Sequence, residues 1–284
     1  MPQALGKTLF EAKKENNMYY KIYDNNKEEW VLLIHGLGGS INTWKYQIKD
    51  LSSFNVIAVD LEGHGLSEIE RGPHLLSRSA HEINRILEAE KIDKVHIISL
   101  SLGTLVAMEF VKNHTEKVRS IVLAGFVLNM GFGYKSLLAL LEGIKYIVPK
   151  RLFYPAFANI MMPCKNHKKS REIFIRESVK MKSLAFRMWL SELFRAQYKL
   201  KGYIRAIRDN NIPVFLISGK QDYMFVNSVK RTHKKIGASS LFLIEKCGHV
   251  CSIEKHEIFD ELVVSFLGGL SFPKIADKKA GALA

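Results

Sequence analysis

Cysteine is scarce in this 284-residue chain, which carries only Cys164, Cys247 and Cys251. So small and odd a number excludes a disulfide framework, and no paired CxxC spacing offers a zinc site, so reduced thiols in a cytoplasmic protein are expected. Cys247 and Cys251 flank His249, but Cys-Gly-His-x-Cys matches no metal-ligand spacing, and both read as small buried apolar residues. Long apolar runs are also missing. The greasiest stretch, residues 137–148, is broken by Glu142, Gly143 and Lys145, and the first 17 residues have no apolar core of signal-peptide length. Neither a transmembrane segment nor secretion is therefore expected. There is no repeat of fixed period, no Pro-rich or Ser-rich tract, and no GxxxxGK[ST] or GxGxxG loop to cradle a nucleotide. Acidic residues are in short supply, 28 against 42 Lys and Arg, for a net charge of +14. Such an excess fits an anionic partner (nucleic acid, membrane surface or acidic substrate) and fits a Lys-rich genome equally well.

What is present excludes a disordered chain: 47% of residues are hydrophobic and 25% charged. Short runs rich in β-branched residues recur at 30–34, 56–59, 95–98, 121–124, 214–217 and 241–244, as strands buried on both faces of a parallel sheet should. Residues 18–23 add an antiparallel strand at the edge. Helical spacing fills 75–90 and 102–112, and another such segment, 257–267, follows the last run. This alternation predicts an α/β doubly wound, mostly parallel sheet of about eight strands. One interval breaks the rhythm. Residues 127–212 hold no convincing strand and read as a helical insertion after the sixth strand, on a core of 1–126 and 213–284.

In an open parallel sheet the reactive residues belong at the carboxyl ends of the strands. His35-Gly36-Leu37-Gly38-Gly39 follows the run at 30–34, and Asp60-Leu61-Glu62-Gly63-His64-Gly65-Leu66-Ser67 follows that at 56–59. Ser99-Leu100-Ser101-Leu102-Gly103 follows 95–98, Asp222 stands just beyond 214–217, and Gly248-His249 just beyond 241–244. A hydroxyl, a carboxylate and an imidazole thus occur in the order Ser101, Asp222, His249, each at a strand end. An alcohol needs a neighbouring base to become a nucleophile at neutral pH, and the base needs a partner to orient it.

These segments together resemble the α/β-hydrolase fold, over about residues 30–126 and 213–267. The resemblance implies a serine hydrolase in which Ser101 is the nucleophile on a strand-to-helix elbow, His249 the general base and Asp222 its orienting acid. Ser99 stands where the family usually has Gly, a small-for-small departure. The resemblance further implies that the backbone N–H groups of Leu37 and Leu102 form the oxyanion hole, that His35 and His64 are structural, that residues 127–212 form a cap or lid over the site, and that neither metal nor organic cofactor is needed. His233 and His256 lie in helical patterns and read as solvated.

The insertion carries 17 Lys and Arg against five Asp and Glu, nearly the whole positive surplus. Its aromatic and Met residues, Phe132, Met162 and Trp189 among them, either line a substrate pocket or form the insertion's own core. A greasy inner face and a basic outer face suggest an ester or thioester with an apolar acyl part, borne by or presented on something anionic. Hydrolysis of a lactone or a carbon–carbon bond, and a slow or non-catalytic binding protein on the same scaffold, are the alternatives. Nucleic-acid binding rests on charge alone, with no accompanying motif.

Overall fold

The computed structural model describes residues 9–129, 131–144 and 146–269. Eight strands form one sheet: β1 (Leu9–Glu15), β2 (Met18–Asp24), β3 (Trp30–Ile34), β4 (Asn55–Asp60), β5 (Val95–Leu100), β6 (Val118–Ala124), β7 (Val214–Gly219) and β8 (Ser239–Ile244), in the order β1-β2-β4-β3-β5-β6-β7-β8. From β4 to β8 all pairs are parallel, while β1 and β2 are antiparallel. The expected doubly wound α/β sheet is what forms. Its central strands β4, β5 and β7 are buried along their whole length, which is why their sequences read as unbroken apolar runs. The expected edge position of residues 18–23 needs correction. β1 pairs outside β2 and takes the edge. Its sequence, LFEAKKE, alternates charge in the way that protects an edge from further pairing, and so gives no apolar run to read.

The helices of the core are α1 (Lys45–Asp50), α2 (Leu75–Ala89), α3 (Leu102–Asn113), then after the insertion α9 (Val226–Ile236), α10 (Cys251–Glu254) and α11 (His256–Leu267). Between β6 and β7 run α4 (Phe132–Ile144), α5 (Lys150–Met161), α6 (Lys168–Lys180), α7 (Ser183–Ala196) and α8 (Leu200–Asp209). The last of these belongs with the core layer rather than with the insertion's other helices: α8 packs on α3, and Tyr203 donates its hydroxyl to the buried Glu109 carboxylate. Its Leu200, Tyr203, Ile204 and Ile207 recur at helical spacing, so one face is apolar and seeks the sheet's flank. No described helix is long and apolar enough to cross a membrane.

The sheet order positions the site. From β3 the chain steps to β4 on one side, then returns to place β5 on the other, with Ile34 opposite both Val59 and Ser99. The loops leaving β3 and β5 therefore diverge and open a crevice at their carboxyl ends, the switch point where ligands bind in such sheets.

A buried carboxyl ties α1 to α11. Gln47 of α1 donates to Asp260 of α11 at 2.7 Å and to the Ser252 carbonyl at 3.0 Å. Burial pushes the Asp260 carboxyl up to about 7, with the Gln47 hydrogen bond opposing and Asp50 adding to the rise. His256 faces its other oxygen at 3.9 Å. The folded protein therefore holds a proton that the unfolded chain releases near pH ~4, and the contribution to stability fades as pH climbs through the window from there to about 7. Asp260→Asn is expected to raise the melting temperature at pH 8, by about 2–4 °C per kcal/mol recovered, and much less at pH 5. An equal change at both pH values in a thermal melt would refute the assignment.

Candidate active site

Ser101 links β5 to α3 with φ 52° and ψ −117°, a backbone conformation that an L residue adopts only when its surroundings impose it. The imposing contacts are specific. A Cβ on Gly103 would lie 2.4 Å from the Ile34 carbonyl oxygen and 2.5 Å from that of His35, so α3 starts against the end of β3. Ser99 fills the place before the turn, its hydroxyl donating to the Val122 carbonyl at 2.8 Å inside the sheet, so the Ser-for-Gly departure is absorbed by a hydrogen bond. Ser101 alone of the two serines faces the crevice.

Three side chains from three strand ends meet here. Ser101 Oγ lies 2.8 Å from His249 Nε2, and His249 Nδ1 lies 2.8 Å from Asp222 Oδ2. His249 and Asp222 are almost wholly buried. Ser218 donates to the same Asp222 oxygen at 3.3 Å. Asp60, the other carboxylate at a strand end, is occupied elsewhere: it accepts the Ile41 and Leu66 amides at 2.7 and 2.9 Å, and its own loop is pinned by Ser67, which donates to the Asp60 carbonyl and accepts from the Tyr19 amide.

The Leu37 and Leu102 amides lie at the ends of β3 and β5. Leu102 opens α3, so its N–H has no helical acceptor. Gly36 brings the other loop alongside: a Cβ there would sit 3.1 Å from Ser101 Cβ. The loop is held by His35, which donates from Nδ1 to the Gly36 carbonyl at 2.8 Å and accepts the Leu61 amide on Nε2 at 3.0 Å. That pattern requires the neutral ring, and burial lowers the His35 and His64 imidazoles below their ordinary value.

The pocket over Ser101 holds about 430 Å³ of open space. Its walls are Leu37, Leu100, Val250 and Ile253 from the core, and Ser170, Ile173, Phe174 and Glu177 from α6. Of the insertion residues expected to line it, Met162 and Trp189 are fully buried in packing instead. Trp189 donates its indole N–H to the Glu62 carbonyl at 2.9 Å and so fastens α7 to the loop after β4. The side chain of Phe132 lies outside the described residues. The helix that does face Ser101 is α6, the most polar of the insertion's helices in sequence.

Other residues escaped the sequence reading. Asn166 donates to the Gln221 side chain and the Lys246 carbonyl, both at 3.0 Å, and the buried His167 ring lies 3.1 Å from Gln221 Oε1. Glu254 accepts the Gly248 amide at 2.7 Å. Together they clamp the loops that carry Asp222 and His249 against the turn before α6. Their only signal in sequence is a polar Asn-His pair within a Lys-rich stretch. His233 and His256 are half-buried rather than solvated, the first beside Ser239 and the second stacked on Tyr46. Cys247 and Cys251 are buried, and burial pushes both thiols up, so neither presents a thiolate at neutral pH. Among the described residues no three His, Cys, Asp or Glu side chains group as metal ligands.

Known proteins similar in fold are numerous. The family model for the alpha/beta hydrolase fold matches residues 29–256. A putative 2-succinyl-6-hydroxy-2,4-cyclohexadiene-1-carboxylate synthase of Bacillus subtilis is 22% identical over 85% of this chain and 91% of its own length. A 2-hydroxy-6-oxononadienedioate/2-hydroxy-6-oxononatrienedioate hydrolase of Klebsiella pneumoniae is 23% identical over 84% and 87% respectively. Among solved structures, one from a study of carboxylesterases of Nitrososphaera gargenis superposes with a TM-score of 0.74 at 22% identity, covering 92% of this chain and 98% of that one. The enol-lactonase of Burkholderia xenovorans superposes with a TM-score of 0.75 at 19% identity, covering 88% and 96%. With the family model spanning most of its length, the chain belongs to the alpha/beta hydrolase fold family.

Proposed function

We propose that this hydrolase cleaves a carboxylic ester or thioester with an apolar acyl part through an acyl-enzyme on Ser101. The observation that carries the reading is the unbroken pair of 2.8 Å contacts from Ser101 through His249 to Asp222 beneath an apolar pocket. Ser101 Oγ–H donates to His249 Nε2, which takes the proton as the oxygen attacks the carbonyl and returns it to the leaving group. Asp222 accepts from Nδ1–H, fixing the tautomer and stabilising the imidazolium. The tetrahedral oxygen accepts from the Leu37 and Leu102 amides. Water, deprotonated by His249, then releases the acid. The helices α4–α7 act as the cap, of which α6 is the part that meets substrate.

A fluorophosphonate probe tests the nucleophile, and a panel of p-nitrophenyl esters of rising chain length, acyl thioesters and lactones tests the bond. Labelling of wild type and its loss in Ser101→Ala, together with ester turnover, is the expected result. Labelling without turnover of any ester or thioester would overturn the ester assignment in favour of a lactone, a carbon–carbon bond or a binding role.

A further inference from the structure

A second cavity adjoins the pocket over Ser101 and shares four of its wall residues, Thr43, Ile173, Glu177 and Ile253. It is lined in addition by Asn42, Lys45, Tyr46 and Arg176, and its open space is about 600 Å³. The electrostatics of this cavity are lopsided. Two ammonium groups converge on one phenol: Lys45 Nζ is 4.7 Å from the centre of the Tyr46 ring, and Lys169 Nζ is 5.8 Å from it and 3.5 Å from the Tyr46 hydroxyl. Among the described residues neither lysine has a carboxylate within ion-pair distance. The ring is held in place by the His256 imidazole stacked against it, centroids 4.1 Å apart and planes 4° from parallel.

The one carboxylate in the wall does not neutralise the pair. Glu177 already engages Arg176 at 3.3 Å and Lys180 at 2.8 Å. Partial burial pushes the Tyr46 phenol up, but the Lys169 and Lys45 ammoniums outweigh it and hold the group below the ordinary tyrosine value. Two like charges held at one ring without a counter-ion repel each other, and an anion between them relieves that cost. Arg171, nearby, is spent on structure, donating to the Met162 and Cys164 carbonyls.

We propose that the cavity around Tyr46 is a subsite for an anionic group, a carboxylate or a phosphate, carried on the far end of the acyl chain whose carbonyl meets Ser101, with Lys45 and Lys169 as its main partners and Arg176, which Glu177 already holds, beside them. The inference rests on the hydrolase reading above and names its substrate class. The apolar wall of Ile173 and Ile253 between the two cavities suits the methylene spacer, and the cations beyond it suit the charge. Specificity then comes from both sides of the crevice, since Lys45 belongs to the core and Lys169 and Arg176 to α6.

The test compares p-nitrophenyl esters that share a leaving group and spacer and differ only at the far end: a free carboxylate, a phosphate, or the methyl ester of the carboxylate. A series of spacer lengths is run on wild type, on Lys45→Gln with Lys169→Gln, and on Arg176→Gln. At low ionic strength wild type is expected to favour one anionic ester over its methyl-capped twin by about tenfold or more in kcat/KM, equivalent to roughly 1.4 kcal/mol. The variants should lose that preference while cleaving the capped ester as wild type does, and about 0.5 M NaCl should compress it. Which anion gains more identifies carboxylate or phosphate as the group. Equal rates for capped and anionic esters in wild type, or a preference that survives both variants, overturns the subsite. If no ester is turned over by wild type, and Ser101→Ala behaves identically, it is the hydrolase reading that has failed.

Discussion

Ser101→Ala is expected to lower kcat/KM on whichever ester the protein cleaves by about 10⁴–10⁶-fold, with no loss of thermal stability. The residue loses only an oxygen, and the backbone conformation at φ 52° is imposed by Gly103 and the ends of β3 and β5 rather than by the hydroxyl. Removing the base should cost about as much. His249→Ala leaves the Ser101 hydroxyl without the acceptor 2.8 Å away that would take its proton. Because the two act as one device, the double variant should be scarcely slower than either single one. Ser99 supplies the control: its hydroxyl is spent on the Val122 carbonyl inside the sheet, so Ser99→Ala should keep most of the activity. Steady-state kinetics on the best substrate of the ester panel measure all four. Retention of more than about a tenth of the rate in Ser101→Ala would remove it as the nucleophile.

The second large effect is structural and reaches the site through the backbone. Gly103→Ala places a Cβ within 2.4–2.5 Å of two carbonyl oxygens, those of Ile34 and His35. Neither can yield as a side chain would, since both are backbone atoms, one at the end of the buried strand β3 and one in the first residue after it. α3 must tilt away from β3, and the Leu102 amide moves away from the Leu37 loop with it. A cost of about 3 kcal/mol or more is expected, which for a chain of this size lowers the melting temperature by roughly 6–12 °C. Activity should fall further than stability explains, because the same tilt separates the two proposed oxyanion donors. Gly202→Ala in α8 is the contrast. Nothing lies within 4 Å of a Cβ there, so the helix should gain roughly 0.5–1 kcal/mol. Differential scanning calorimetry on the pair distinguishes the two, and a Gly103→Ala protein that melts like wild type would sink the steric argument.

Much of the architecture was legible because it is written in local pattern. Runs such as VIAV and VFLI, short and bounded by turn residues, read as strands buried on both faces, and the small residues around Ser101 mark a tight strand-to-helix turn. β1 was not legible, because an edge strand carries charge for the same reason that an inner strand carries none. The pocket wall is left open by the sequence on similar grounds. Met162 and Trp189 are large and apolar, but the packing of α7 on the loop after β4 consumes Trp189, while the more polar α6 turns Ile173, Phe174 and Glu177 towards Ser101. Apolar composition alone does not distinguish a residue that lines a cavity from one that fills it.

The sequence by itself determined the parallel sheet, the loops at its carboxyl ends and the order in which Ser101, Asp222 and His249 appear, since each depends on residues within one turn or strand. It also located the positive charge on residues 127–212. Only the tertiary structure decided which cations gather at one place. Lys45 and Lys169 are far apart in the chain and meet at Tyr46 because α6 lies across the loop after β3, whereas Arg171, close to Lys169 in sequence, is spent on backbone carbonyls. A side chain's charge is a property of its residue; the partner it finds depends on how distant segments pack.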